Sequence, residues 1–153
     1  KYDFMTARKR HHFLTKNPEY KYIQDSQKDP HINERITQKS LALLEKQLST
    51  IRASENGAKK NICSVIHMLP LAELYPKKPI FNTTIAFMGS KHYGELYDKY
   101  QVKLCVCAHS HQRMTLDKHQ TRYVNVSLGH NFKWRYKTNL YQELLNTIYV
   151  LSL

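Results

Sequence analysis

The chain of 153 residues carries 24 Lys and Arg against 12 Asp and Glu, which gives a formal net charge of +12 at pH 7. This length is enough for one domain with a hydrophobic core. No apolar run approaches the roughly 20 residues of a membrane-spanning helix, and the first residues lack the apolar region of a signal peptide. We therefore expect neither a transmembrane helix nor a membrane partner.

The charge predicts attraction to phosphate-bearing ligands and to nucleic acid, without specifying either. No RRM, KH or zinc-finger pattern is present, so a dedicated nucleic-acid module is the less favoured reading. The three cysteines, Cys63, Cys105 and Cys107, lie in apolar strand-like runs without a Cys-x-x-Cys spacing. They predict reduced thiols in a cytoplasmic protein, with a metal-thiolate role as the weaker alternative.

Residues 1–36 are polar, basic and interrupted by two prolines, so they predict a connecting segment before a domain over 37–153. The cationic cluster Arg8–His12 predicts a solvated face, or else a rim that guides an anionic substrate. Four aliphatic residues then recur at helical spacing and predict a helix over 38–53, with Leu43 widening the stripe: Leu41, Leu44, Leu48 and Ile51. Thr37 is the predicted N-cap, and Asn56-Gly57 the stop.

Two predicted strands end in histidine. The first covers 61–68 and ends at His67, and its continuous apolar run predicts burial on both faces. A helix over 91–100, capped by Ser90, leads into the second strand over 103–111. This alternation of helix and strand predicts an α/β fold. A hairpin over 112–128, a loop over 129–138, a short helix over 140–146 and a closing strand over 147–153 complete the chain.

The pair His109 and His111 is the centre of the functional interpretation. If the strand continues to its end, both imidazoles leave the same face about 6.6 Å apart at Cα. That spacing suits one histidine on each of two metals about 3.5–4 Å apart. The chain has nine histidines, so the spacing alone does not decide between ligands and ordinary core or surface histidines.

The stretches Val65–His67, Cys107–His111 and Tyr123–Gly129 resemble the C-terminal half of the calcineurin-like metallophosphoesterases. In that family a strand-terminal His precedes a Gly-His-x-His motif, and a strand similar to Tyr-x-Asn-Pro-Gly-Ser follows. The resemblance covers residues 37–129. It implies part of a four-layer β-sandwich flanked by helices, and two divalent ions (Mn, Fe, Zn or Ni) in a binuclear centre. It further implies that His67 and His109 bind one ion and that His111 binds the other.

The chain departs from the family pattern at three positions: Ala108 replaces glycine, Val126 replaces proline, and Ile66 replaces a small polar residue. It also contains no Gly-Asp and no Gly-Asn-His, and Asp117-Lys118-His119 reads as a hairpin turn. We therefore expect a C-terminal portion that completes its site with the N-terminal half of the same domain. No catalytic residue is assigned within the chain. Arg113 is the candidate for holding the substrate phosphate, with a solvent-facing arginine as the alternative.

Three functions are consistent with these residues. The first is a metal-dependent phosphoesterase that hydrolyses a phosphate ester through a metal-activated water, with nucleic acid as one candidate substrate; the 153 residues alone are then expected to be inactive. The second is a phosphoesterase-like scaffold that has lost its chemistry, which Ala108 and the missing carboxylates favour. The third is a basic nucleic-acid-binding module with a structural metal, which the net charge favours.

Overall fold

A computed structural model of the protein describes residues 32–75, 88–129, 132 and 134–150. Most of the predicted connecting segment over 1–36 lies outside these residues. The first helix, α1 (Ile32–Ala53), begins before the predicted domain start at residue 37. The Thr37 cap is therefore wrong, because the preceding turn has no helix breaker and Glu34 favours its N-terminus electrostatically.

The apolar stripe of α1 is confirmed, and Leu48 at 2% exposure is its most buried member. Leu43 does not belong to the stripe and is 59% exposed. The stop at Asn56-Gly57 is also confirmed, with the roles divided between the two residues. Asn56 adopts the left-handed conformation at φ 57°. Gly57 packs so closely on the helix that a Cβ there would lie 2.2 Å from the Ile51 carbonyl oxygen.

The central feature is a four-stranded sheet in the order β1-β2-β4-β3. The strands are β1 (Cys63–Val65), β2 (Leu104–Cys107), β3 (Met114–Lys118) and β4 (Thr121–Asn125). β2 pairs in parallel with both β1 and β4, and β3 pairs antiparallel with β4 as the predicted hairpin. The fold is therefore α/β, as predicted.

Helices α1 and α2 (Lys91–Lys99) and the short 3-10 turn Ala72–Leu74 accompany the sheet, and their apolar side chains share one core with it. The alternation of β2 places Cys105 and Cys107 in that core, whereas Leu104 is buried at the opposite face. Tyr97 of α2 reaches the sheet, where its hydroxyl lies 2.8 Å from the Ser64 Oγ atom.

The outward face of β1 contradicts the prediction of burial on both faces. Val65 is 80% exposed, and Cys63 is also exposed. The physical reason is position: β1 is an edge strand among the described residues, and only one of its faces meets the helices. The apolar run at 61–68 identified a strand correctly but did not reveal what covers it.

Arg52 joins the C-terminal ends of the first two helices. Its guanidinium donates to four carbonyl oxygens at 2.6 to 2.8 Å, those of Gly57, Lys60, Tyr100 and Gln101. The planar guanidinium of arginine has five donors in a fixed geometry that suits this arrangement, whereas the compact ammonium of lysine could not reproduce it. The bonds fix the segment that feeds directly into β2, and through it the strand that leads to the histidine pair.

The C-terminal part contains α3 (Leu140–Leu145), where Asn139 caps the first turn through its side chain. The predicted closing strand over 147–153 is absent from its described part. Thr147 and Ile148 instead donate to the carbonyls of Leu144 and Leu145 and continue the helical turn. No helix among the described residues has both the length and the apolar character that a membrane crossing requires.

Candidate metal centre

The three parallel strands β1, β2 and β4 end at the same edge of the sheet. Past the ends of β1 and β2 lie His67 and the loop Ala108–His111, and buried Asn125 is the last residue of β4. Carboxyl ends of parallel strands are where α/β proteins commonly build their binding sites. The pairing of β1 with β2 continues past the strand ends, since the Ala108 N–H donates to the His67 carbonyl oxygen at 3.3 Å. This bond places the two histidine-bearing segments side by side.

His67 and His109 meet in space. The His67 Nε2 atom lies 3.0 Å from the His109 Nδ1 atom. The two rings have centroids 4.8 Å apart and an interplanar angle of 68°. Two neutral imidazoles make such a contact when one nitrogen donates its proton to the other. The structure thus brings together two of the histidines that the sequence singled out, although they are separated by 42 positions.

The backbone between the two histidines of the Ala-His-Ser-His stretch is not extended. β2 ends at Cys107, and both His109 (φ 67°) and His111 (φ 54°) are left-handed. The expectation that both rings continue the alternation of one strand is therefore wrong. The chain turns sharply instead, with the Ser110 N–H donating to the Ala108 carbonyl oxygen at 2.8 Å.

His111 lies on the exposed side of this loop. Gly129, left-handed at φ 77°, packs near it: a Cβ at residue 129 would lie 3.3 Å from the His111 carbonyl oxygen. Within the described ranges, no three His, Cys, Asp or Glu side chains form a group that could hold a metal ion. His111 consequently does not complete a three-ligand cluster with His67 and His109 there.

The distance between the two histidine nitrogens is compatible with two ligand positions on one ion. Metal–nitrogen bonds of about 2.0–2.1 Å place two neighbouring ligand nitrogens about 2.9–3.4 Å apart, for ligand angles between square and tetrahedral. The observed 3.0 Å between the His67 and His109 nitrogens lies in that range. Neutral imidazole is a ligand for Zn, Fe and Ni. The pair alone leaves such an ion short of ligands.

Arg113 does not face solvent freely. Its Nη2 atom donates to Oε1 of Glu143, a residue of α3 that is fully buried. The other Glu143 oxygen accepts from the Tyr136 N–H at 3.1 Å. This ion pair ties the strand that follows His111 to the C-terminal helix. Glu143 was missed at the level of sequence, although it is the only acidic residue after Asp117.

The two cysteines of β2 are core residues rather than part of the histidine contact. Cys105 and Cys107 are buried at 0% and 1% exposure among apolar side chains. A hydrogen bond with Cys107, together with burial, raises the pKa of the Cys105 thiol. Cys105 is therefore a poor metal ligand, because the thiolate is the form that binds. The same hydrogen bond lowers the pKa of the Cys107 thiol.

Comparison of the chain with family models, with curated proteins and with solved structures finds no match.

Proposed function

We propose that this chain contributes histidine ligands to the metal centre of a phosphoesterase. The observation that carries the proposal is the 3.0 Å approach of the His67 and His109 nitrogens. This approach occurs at the carboxyl edge of a parallel sheet, between two strand ends that are distant in sequence. A high histidine content alone does not explain why these two histidine side chains meet.

In this proposal His67 and His109 bind one divalent ion, and His111 binds a second. The ions are Mn, Fe, Zn or Ni. When bound, they supply a water of lowered pKa and stabilise charge on the phosphoryl oxygens. The remaining ligands, carboxylates among them, come from the N-terminal half of the same domain, whose motifs these 153 residues lack.

The substrate is a phosphate ester, and the phosphodiester of a nucleic acid is one candidate because the chain carries a net charge of +12. Arg113 is proposed to hold the substrate phosphate. Its pairing with buried Glu143 engages one end of the guanidinium. Arginine has five donors in a fixed fork, so the pairing leaves other donors and restricts their direction.

The open face of β1 supports the sandwich architecture. Parallel sheets are ordinarily covered on both faces, yet Val65 is 80% exposed. In the proposed four-layer arrangement a second sheet packs on this side. The three cysteines are free, which supports the proposed cytoplasmic location.

The test measures hydrolysis of p-nitrophenyl phosphate and bis(p-nitrophenyl) phosphate with each of the four metals. Two forms are assayed: the natural protein, which in this proposal includes the N-terminal half of the domain, and the 153 residues alone. We expect metal-dependent turnover from the natural form and none from the 153 residues. His109→Ala should remove most of the turnover. The control His92→Ala should retain it, because that exposed histidine pairs with Glu95 on α2.

Other outcomes decide between the alternatives. Wild-type turnover in His109→Ala, counted per folded molecule, would contradict the proposal. Metal binding without hydrolysis of either ester in the natural form would favour the scaffold. Steeply salt-dependent binding of RNA or DNA, again without hydrolysis, would favour a basic nucleic-acid module.

A further inference from the structure

Asn125 stands at the carboxyl end of β4 and is 2% exposed. An asparagine side chain offers two donor hydrogens and two acceptor lone pairs, and Asn125 uses all four. Its Nδ2 atom donates to the Ala108 carbonyl oxygen at 3.2 Å and to the Ser110 Oγ atom at 2.7 Å. Its Oδ1 atom accepts from the Ser127 N–H at 3.1 Å and from the Ser127 hydroxyl at 2.7 Å.

The two donor bonds fall on either side of His109. Ala108 precedes that residue and Ser110 follows it, and Ser110 is itself buried at 6% exposure. His109 between them is left-handed, at φ 67°. A non-glycine residue persists in that conformation only where its surroundings over-determine it. Asn125 supplies such a constraint from a central strand of the sheet.

We infer that Asn125 is a positioning residue, which fixes the loop 108–111 so that the His109 ring meets His67. Through that loop, Asn125 controls the distance between the two proposed ligand nitrogens. The functional meaning of this inference rests on the proposed metal centre. Its geometric content does not, because it concerns only the contact between the two rings.

A matched pair of substitutions on β4 tests the inference. With its carboxyl ionised, Asn125→Asp keeps the shape and the acceptors toward Ser127 but cannot donate to the Ala108 carbonyl. Thr121→Val is the control at the other end of the same strand. Thr121 is 1% exposed, and its Oγ1 atom donates to the Val102 carbonyl oxygen at 2.7 Å. Both variants lose a buried hydrogen bond to a backbone carbonyl, but only the first acts on the histidine loop.

The readout is NMR of the metal-free protein at fixed pH. We expect Asn125→Asp to lose the nuclear Overhauser contact between the His67 and His109 rings and to shift their imidazole 15N resonances. Thr121→Val should leave both unchanged. Should Asn125→Asp fail to fold, Ser110→Ala tests the inference instead, because it removes only the bond from Asn125 to Ser110 and leaves the bond to Ala108. In that variant we expect a partial loss of the same contact.

Zinc binding, measured by calorimetry, gives the second readout. Residues that hold metal ligands in place typically change metal affinity by about 10–100-fold when they are replaced. We expect the zinc affinity of Asn125→Asp to fall by at least about tenfold relative to Thr121→Val. Ring contacts that persist in folded Asn125→Asp, or that weaken equally in Thr121→Val, would overturn the inference. Loss of the ring contact in Asn125→Asp without any change in zinc affinity would instead count against the proposed metal centre alone.

Discussion

Because His109 is left-handed, we expect glycine at this position to be more stabilising than alanine, the reverse of the usual order. His109→Ala and His109→Gly both remove the ring and its contact with His67. They differ only in the Cβ atom, which clashes with the backbone at φ 67°. We therefore expect His109→Gly to be the more stable of the two variants, although glycine destabilises most other positions.

The magnitude follows from two opposing effects. The left-handed conformation costs an L-residue about 1–2 kcal/mol, and glycine is free of that cost. Glycine gives the unfolded chain extra freedom, which lowers the free energy of unfolding by about 0.5–1 kcal/mol. The balance favours His109→Gly by about 1 kcal/mol, or a few degrees in melting temperature for a domain of this size.

Urea denaturation measures this difference, with the fluorescence of the single tryptophan, Trp134, and circular dichroism as probes. The His119→Gly and His119→Ala pair provides a control of the same sign. His119 is left-handed at φ 53° in the β3–β4 turn, away from the candidate site. Equal stability of the two His109 variants, with the expected difference at His119, would refute the loop conformation described above.

Three further predictions concern the scaffold. Arg52→Lys should lower the free energy of unfolding by about 2 kcal/mol, since lysine cannot serve four carbonyls at once; wild-type stability in urea would contradict this. Leu104→Ala should cost about 2–5 kcal/mol because the side chain is buried, while NMR of the folded fraction should retain the contact between the histidine rings. A thiol reagent should modify exposed Cys63 in the native protein and reach Cys105 and Cys107 only after denaturation; rapid native labelling of all three would show that the core opens.

The regular elements were largely predictable from local pattern. The C-terminal end of α1, helix α2, the hairpin of β3 and β4, and helix α3 follow from apolar spacing and turn residues. These signals act within a few positions of the chain. The start of α1 was missed because residues 32–37 mix strong and weak helix formers and contain no helix breaker. No local signal therefore marks the boundary.

The candidate site was predictable only in part. The sequence identified His67 and His109, because histidines at strand ends are conspicuous. It did not reveal the turn between Ala108 and His111, since histidine is enriched in the left-handed conformation but adopts it at only a minority of positions. Buried Asn125 holds that turn through its two donor hydrogen bonds to Ala108 and Ser110, and these are tertiary contacts.

Long-range pairing explains the other differences. Arg113 and Glu143 are 30 positions apart, and the periodicity of neither segment points to the other. The exposure of Val65 likewise depends on what lies beside β1 rather than on the residues of β1. An apolar run of this kind fits a strand that is buried on one face or on both.

The central claim is that His67 and His109 bind the same ion, and paramagnetic broadening tests it most directly. Mn²⁺ is added in small amounts to the histidine-labelled protein, and the imidazole resonances are followed by NMR. The account predicts that the resonances of His67 and His109 broaden together, at lower Mn²⁺ than those of His92 and His119, which belong to helix α2 and to the β3–β4 turn. Broadening of His92 or His119 first, or of only one member of the His67–His109 pair, would contradict it.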